Sequence, residues 1–536
     1  MSEAGPIAVG VTPAGQLESR PRLFAALEAA LPVRFEGRAA DAVGDLDALL
    51  VLGGGDAVPA GVPSLSLAVP EPDMAGQAQD NVHGEDADLD PRLHGAALSD
   101  RRLGAALERN AKELTGDGTT TLASCDGVPT WVRDPDGNER ALLIPAELEP
   151  REALRERLCD SRNAALAPLL HFLRRQTEAI RWQPPAPRAS LLFDDPNLHW
   201  PSYGFVRLAE LGAHAREHGY HVALATVPLD AWFAHPAALR ALRESDGAIS
   251  LLVHGNDHDG GELGRVASDA EALILAAQAL RRVGAFGRRT GVTVDPVMVP
   301  PHEACSRATL SGLRRCGFEA IAMTRPYPWV EFEPHSWLAR PDAAGDLAGW
   351  HPAEFVEGVP VLLRHPIAGR SGTELTLRAF LDQPLIVYGH HEDAHGGPEA
   401  LLEAVEEVNR VAPARWCSLR EIAATSFETR SQGTRLTVRP LSRRVRVEIP
   451  AGTEEVAVEL PAVGLDPARE TLWVDGERVE PGEPVAVHPG ELEIVLTPVD
   501  AISPSAVPAP RRRPLAVARR LASEGRDRLR PLARQR

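Results

Sequence analysis

The sequence predicts an α/β protein whose middle is a (β/α) barrel, set between an α/β domain and a small β-sandwich. Three observations carry this. Between residues 187 and 425 the runs "ASLLF", "HVALATV", "GAISLLV", "PVMVP", "AIAMT", "VPVLLR" and "PLIVYG" recur, most of them separated by helical stretches such as "GFVRLAELGAHAREHG" and "DAEALILAAQALRRVG". Seven such units point to a barrel, or to a barrel short of one strand, with an open doubly wound sheet as the alternative. Residues 1–180 alternate strand and helix signals of their own, and residues 426–500 switch to a period-two alternation punctuated by Gly and Pro. A chain of 536 residues exceeds one core of ordinary size, so several domains are expected.

The N-terminal domain opens with "IAVGV", a helical "RLFAALEAAL", "VRFEG" and "DALLVLGGG". This pattern loosely resembles the flavodoxin-like or class I glutamine amidotransferase-like layout. "VLGGGD" is followed by no phosphate-binding fingerprint and reads as a tight turn. Cys125 in "LASCDGV" lacks a glycine-flanked elbow and reads as a structural thiol, so the domain is expected to be non-catalytic. The proline-rich "RWQPPAPRAS" is the linker candidate. In the sandwich, "VDGERVEPG" predicts a hairpin turning at Asp475 and Gly476. Residues 501–536 hold, from Arg511 onward, ten arginines against Glu524 and Asp527. That tail is expected to be disordered, with docking on an anionic membrane as the sharper reading.

The net charge of −18 argues against general nucleic-acid binding, which needs a basic surface. Five scattered cysteines without a CxxC read as reduced thiols. The N-terminus shows no export signal, and no stretch has the length of a membrane span, so a cytoplasmic protein is expected.

Chemistry in a βα barrel gathers at the C-terminal ends of the strands. The first run ends in the adjacent carboxylates Asp194 and Asp195, which repel unless a cation or a shared proton intervenes. The third ends in "HGNDH", with His254 and His258, and the fourth in "PPHE", with His302 and Glu303. Arg325 closes the fifth, His365 the sixth, and His390 and His391 the seventh. An H-x-x-x-H pair plus one carboxylate makes a three-ligand metal site with a position left for water. The second aspartate is then available as a general base. His199, His214, His218, His221 and His235 read as surface or core residues.

"FDD" after the first strand and "HGNDH" after the third resemble the polysaccharide deacetylases of carbohydrate esterase family 4, whose NodB-like homology domain is a distorted seven-stranded barrel. The resemblance spans about residues 187–425. It implies a hydrolase that removes an acyl group from a carbohydrate. Asp194 matches the base, Asp195, His254 and His258 the ligands of a divalent metal, expected to be zinc, and His390 or His391 the general acid. His302, Glu303 and His365 are candidates for substrate or supporting contacts. Three places depart from the family: Val299 stands where its third motif has an arginine that orients the base, His302 where that motif has an aromatic residue, and Gly255 where its second motif has Ser or Thr. Arg325 is expected to supply the missing charge. The competing reading is a binding module for metal or carbohydrate whose acid/base pair has decayed, or a different ester or glycosidic hydrolysis on the same scaffold.

Overall fold

A computed structural model describes residues 5–39, 44–53, 61–68, 89–149 (save 105, 108–113 and 115), 152–159, 161–324, 351–367, 372–509 and 514–534. The chain falls into two compact units, one of residues up to Trp182 joined by Ser371–Leu381, the other containing Gln183–Ser336, Pro352–Arg370 and Asp382–Arg536.

The first unit is built on a seven-stranded sheet in the order Val33–Gly37, Ile7–Thr12, Ala48–Leu52, Ser64–Leu67, Glu139–Ala141, Val128–Arg133, Thr120–Cys125. Its first five strands pair in parallel, and the sixth, Val128–Arg133, runs antiparallel to both of its neighbours. Ala48–Leu52 is buried at every position, as a strand covered on both faces must be. Cys125 is buried, in keeping with a structural thiol. Of "VLGGGD", the residues from Gly54 onward lie outside the described residues.

The second unit contains the predicted barrel, and it is closed. Arg188–Asp194, Val222–Thr226, Ile249–His254, Asp295–Val299, Ala320–Met323, Val359–Pro366 and Leu385–Gly389 run parallel in that order, and the first pairs with both the second and the seventh. The side-chain period of two divides each strand between the barrel interior and the outer helices. Leu192, Ala223, Ala225, Leu252, Val297, Val299, Ala320, Ala322, Leu362 and Ile386 fill the interior. Val253, Met298, Ile321, Val361 and Leu363 face outward onto Ala276, Leu310 and Leu313 of the helices Asp269–Thr290 and Arg307–Cys316. The second of these helices starts where the Ser306 hydroxyl accepts from the Thr309 N–H at 3.1 Å and stops at Gly317, whose φ of 91° suits glycine.

After the barrel come two four-stranded sheets that enclose Leu436, Val438, Val445, Val447, Val456, Leu472, Ile494 and Leu496. The hairpin at Asp475 and Gly476 has the two positive φ values, 47° and 83°, that a two-residue turn of this kind requires. Two features differ from the sequence expectation. Gly372–Phe380, inside the barrel's sequence, is a helix whose Leu377 and Phe380 belong to the core of the first unit. The tail, expected to be disordered, forms a helix over Pro514–Arg534. No helix among the described residues is long and apolar enough to cross a membrane.

Candidate metal centre

Register decides which strand-end residues meet. Since Leu192, Leu252 and Leu362 point inward, so do Asp194, His254 and Arg364, two residues further along their strands. His365 falls on the opposite face and is buried there. The inward set closes the top of the barrel interior.

Asp195 breaks the alternation, because its backbone is left-handed with φ 77°. That turn brings its carboxylate to 3.2 Å from His258 Nε2 and 3.8 Å from His254 Nε2. Among the described residues, Asp195, His254 and His258 form the one cluster whose donor atoms all lie within 4.8 Å of one another. The His254 Nδ1 lies 2.9 Å from the Val299 carbonyl, so it donates there and leaves the Nε2 lone pair facing the cluster. Val299, whose side chain stands where an arginine was expected, thus serves through its carbonyl.

His258 is also left-handed, with φ 52°. Its loop is held by Glu262, which accepts from the N–H groups of Asn256 at 2.6 Å, Asp257 at 3.0 Å and His258 at 3.0 Å. Gly255 makes this possible: its φ is 60°, and a Cβ there would sit 2.5 Å from Glu262 Oε1 and 2.7 Å from Pro301 Cγ. The departure from Ser or Thr at 255 therefore has a steric cause. Non-glycine residues held in this region of φ and ψ cluster at functional sites.

The electrostatics suit a cation. Burial disfavours the Asp195 charge, yet His254, His258 and Arg520 outweigh it and hold the carboxyl at about 2. Burial depresses the His258 imidazole to about 4 against the pull of Asp195, with His254 and Arg520 pushing the same way as burial. An ionised Asp195 and a neutral His258 imidazole are the forms that ligate.

Asp194 is buried and does have an arginine, but it is Arg364 from the sixth strand. The Arg364 Nη1 donates to both Asp194 oxygens at 2.8 and 2.9 Å, while its Nε donates to Glu303 at 2.9 Å. Burial works against this guanidinium, and Asp194 and Glu303 outweigh burial, so its charge is held above the ordinary value. Arg364 also lies over the Tyr388 ring at 4.0 Å from the centroid. Arg325 lies outside the described residues. Among the described residues the arginine that meets Asp194 is Arg364, which a register count along "VPVLLRHP" locates.

The remaining candidates separate. His390 is exposed and close enough to act electrostatically on Asp195. His391 is buried, with its ring 5.6 Å from that of Tyr203 and 5.9 Å from that of Phe205. His302 is exposed with its ring 5.3 Å from that of His258. Glu303 accepts from Arg364 and from the Thr324 N–H. His199, read from sequence as a surface or core residue, is buried, and sequence reasoning passed over Asp230. His199 Nε2 donates to the Asp230 carbonyl at 2.9 Å, and its Nδ1 meets Glu524 at 2.9 Å.

A closed parallel βα barrel with an Asp-His-His cluster at the carboxyl ends of its strands defines a class of protein, the barrel with a candidate metal centre at its mouth. No family model and no curated protein matches the chain. Among solved structures it is similar to the crystal structure of Agd3, a carbohydrate deacetylase, at 10% identity and TM-score 0.45, over 92% of this chain and 98% of that one. It is similar to the family 4 carbohydrate esterase from Streptomyces lividans at 13% identity and TM-score 0.25, over 44% and 92% of the two chains. The YdjI aldolase from Escherichia coli K12 is matched at 13% identity and TM-score 0.23, over 42% and 85%.

Proposed function

We propose that the protein is a metal-dependent hydrolase that removes an acyl group from a carbohydrate, a divergent member of the polysaccharide deacetylases. The observation that carries this is the convergence of Asp195, His254 and His258, with the His254 tautomer fixed by Val299, beside a buried Asp194 gripped by Arg364. The donor set of one carboxylate and two imidazoles fits a divalent metal, zinc first. Such a metal, when bound through three protein ligands, supplies Lewis acidity and lowers the pKa of a water.

The chain's own residues do the rest. Asp194 takes the proton of the water that attacks the acyl carbonyl, and Arg364 keeps that carboxylate in place. His390, exposed at the end of the seventh strand, gives a proton to the leaving amine or alkoxide. Arg364 is the reason for preferring an enzyme to a decayed binding module, since the apparent loss of the orienting arginine was the chief argument for decay.

The test is acetate release from acetylated sugars by the zinc-loaded protein, with metal content measured alongside. His258→Ala is expected to lose stoichiometric metal and all turnover while keeping its fold, because the site lies at strand ends outside the packed interior. Full metal retention by that variant overturns the ligand set. Carbohydrate binding without any release of acid overturns the enzyme.

A further inference from the structure

The C-terminal helix, Pro514–Arg534, sits at the candidate metal centre. Arg520 is buried, and its Nε and Nη2 donate to Asp230 Oδ2 at 3.0 and 2.8 Å. Its Nη1 lies 3.5 Å from Oδ1 of Asp195, a candidate metal ligand. One turn further on, Glu524 is buried and bonds His199. Arg519 donates to the His258 carbonyl at 3.1 Å and pairs with Asp259. The helix thus touches the loops that follow the first, second and third barrel strands, the same loops that carry Asp195 and His258.

Two of these contacts, Arg520 with Asp230 and Glu524 with His199, are polar pairs out of water. Taking an arginine and a glutamate into such a place is costly unless each finds its partner there, and each does. Asp230 and His199 are both buried, and the His199 Nε2 donation to the Asp230 carbonyl ties the two receiving loops together. Burial disfavours a charged His199, but Glu524 and Asp230 outweigh it and raise its affinity for a proton. The barrel therefore presents a carboxylate and an imidazole spaced to receive a guanidinium and a carboxylate from consecutive turns of one helix. A helix lying loosely on the surface would not need matched buried pairs.

We propose that this helix is a strap over the metal centre and that its docking competes with metal binding, because Arg520 and the metal are two cations drawing on the same carboxylate, Asp195. The proposal rests on the metal-site reading above. Linkage is reciprocal: whatever the docked helix costs the metal in affinity, the bound metal costs the helix in docking. Arg520 is then a positioning residue acting through Asp195, and opening of the strap precedes entry of substrate to the mouth. A cation held within about 4 Å of another at the partly exposed mouth of a site changes affinity by an order of magnitude or more.

Two measurements on the full-length protein test this. The first is zinc affinity by equilibrium dialysis for wild type, Arg520→Gln and Glu524→Gln. Glu524 meets His199 at 2.9 Å, so Glu524→Gln loosens the strap through His199 and leaves the Arg520 side chain as it is. Both variants are expected to bind zinc more tightly than wild type, by roughly tenfold for Arg520→Gln and by a smaller factor for Glu524→Gln. The second is the rate of tryptic cleavage after Arg519, Arg520 and Arg526, which saturating zinc is expected to raise severalfold. Wild-type affinity in Glu524→Gln together with cleavage indifferent to zinc overturns the strap and leaves the metal site standing. Absence of stoichiometric zinc from wild type and both variants overturns the metal-site reading, and the strap with it. Zinc bound by the variants alone is the strongest support.

Discussion

Asp194 and Asp195 are neighbours with opposite surroundings, and the roles proposed for them follow that difference. Asp195 faces two imidazoles across a left-handed turn, whereas Asp194 is gripped at both oxygens by Arg364. Asp194→Asn is expected to keep the metal and to lose turnover by roughly 10²–10⁴-fold, the usual contribution of a positioned base. Asp195→Asn is expected to lose both. Metal analysis beside acetate release checks this, and equal metal loss in the two variants makes both carboxylates ligands. Arg364→Met removes a cation shared by Asp194 and Glu303, and is expected to cost about 3 kcal/mol or more in urea unfolding as well as activity. The aspartates and histidines were legible because their chemistry shows in the letters "FDD" and "HGNDH". Arg364 was not, since His365 is the more suggestive letter. Only the inward register of Leu362 shows which of the two faces the site.

At the scale of elements, the loop after the third strand is shaped by a glycine and a carboxylate. Gly255→Ala puts a methyl group into Glu262 and Pro301 at a left-handed position, which is expected to destabilise the protein by about 1–3 kcal/mol and to weaken the metal site. Zinc affinity and a thermal melt report the two effects. Wild-type behaviour in both would mean that the loop is not held as described. The barrel strands were legible from their apolar runs, which stand out whatever they pack against. The C-terminal helix was not, because what orders it is remote: Arg520 meets Asp230 across 290 residues and Glu524 meets His199 across 325. Read alone, its arginines look like a solvated tail. Contact with an anionic lipid surface, if the tail makes it, draws on the same helix that the barrel holds. Such binding is then expected to be weaker in wild type than in Glu524→Gln, as vesicle flotation at low and high salt would show.

For the molecule as a whole, stability depends on a histidine outside the site. His221 is buried at the start of the second barrel strand with Nδ1 2.9 Å from the Ser190 hydroxyl, and burial depresses it to about 3. Between an unfolded value of about 6.5 and that native value, the unfolded chain takes a proton that the native protein refuses. Stability therefore falls as pH falls through that window, by up to a few kcal/mol. His221→Gln is expected to flatten urea midpoints between pH 7 and pH 4. An unchanged slope would assign the acid sensitivity elsewhere.

The helix Gly372–Phe380 carries a consequence for how the protein is made. Arg92 donates to the Ala379 carbonyl and Arg174 to that of Phe380, while Leu377, Phe380 and Leu381 complete the apolar interior that Leu93, Leu166 and Phe172 begin. A ribosome delivers the first 182 residues long before it delivers these. During synthesis the N-terminal sheet must wait, its interior unfinished, while the first five barrel strands emerge and the sixth is added. A nascent chain stalled near residue 300 would expose that gap, and a gene cut at the apparent linker would make the exposure permanent.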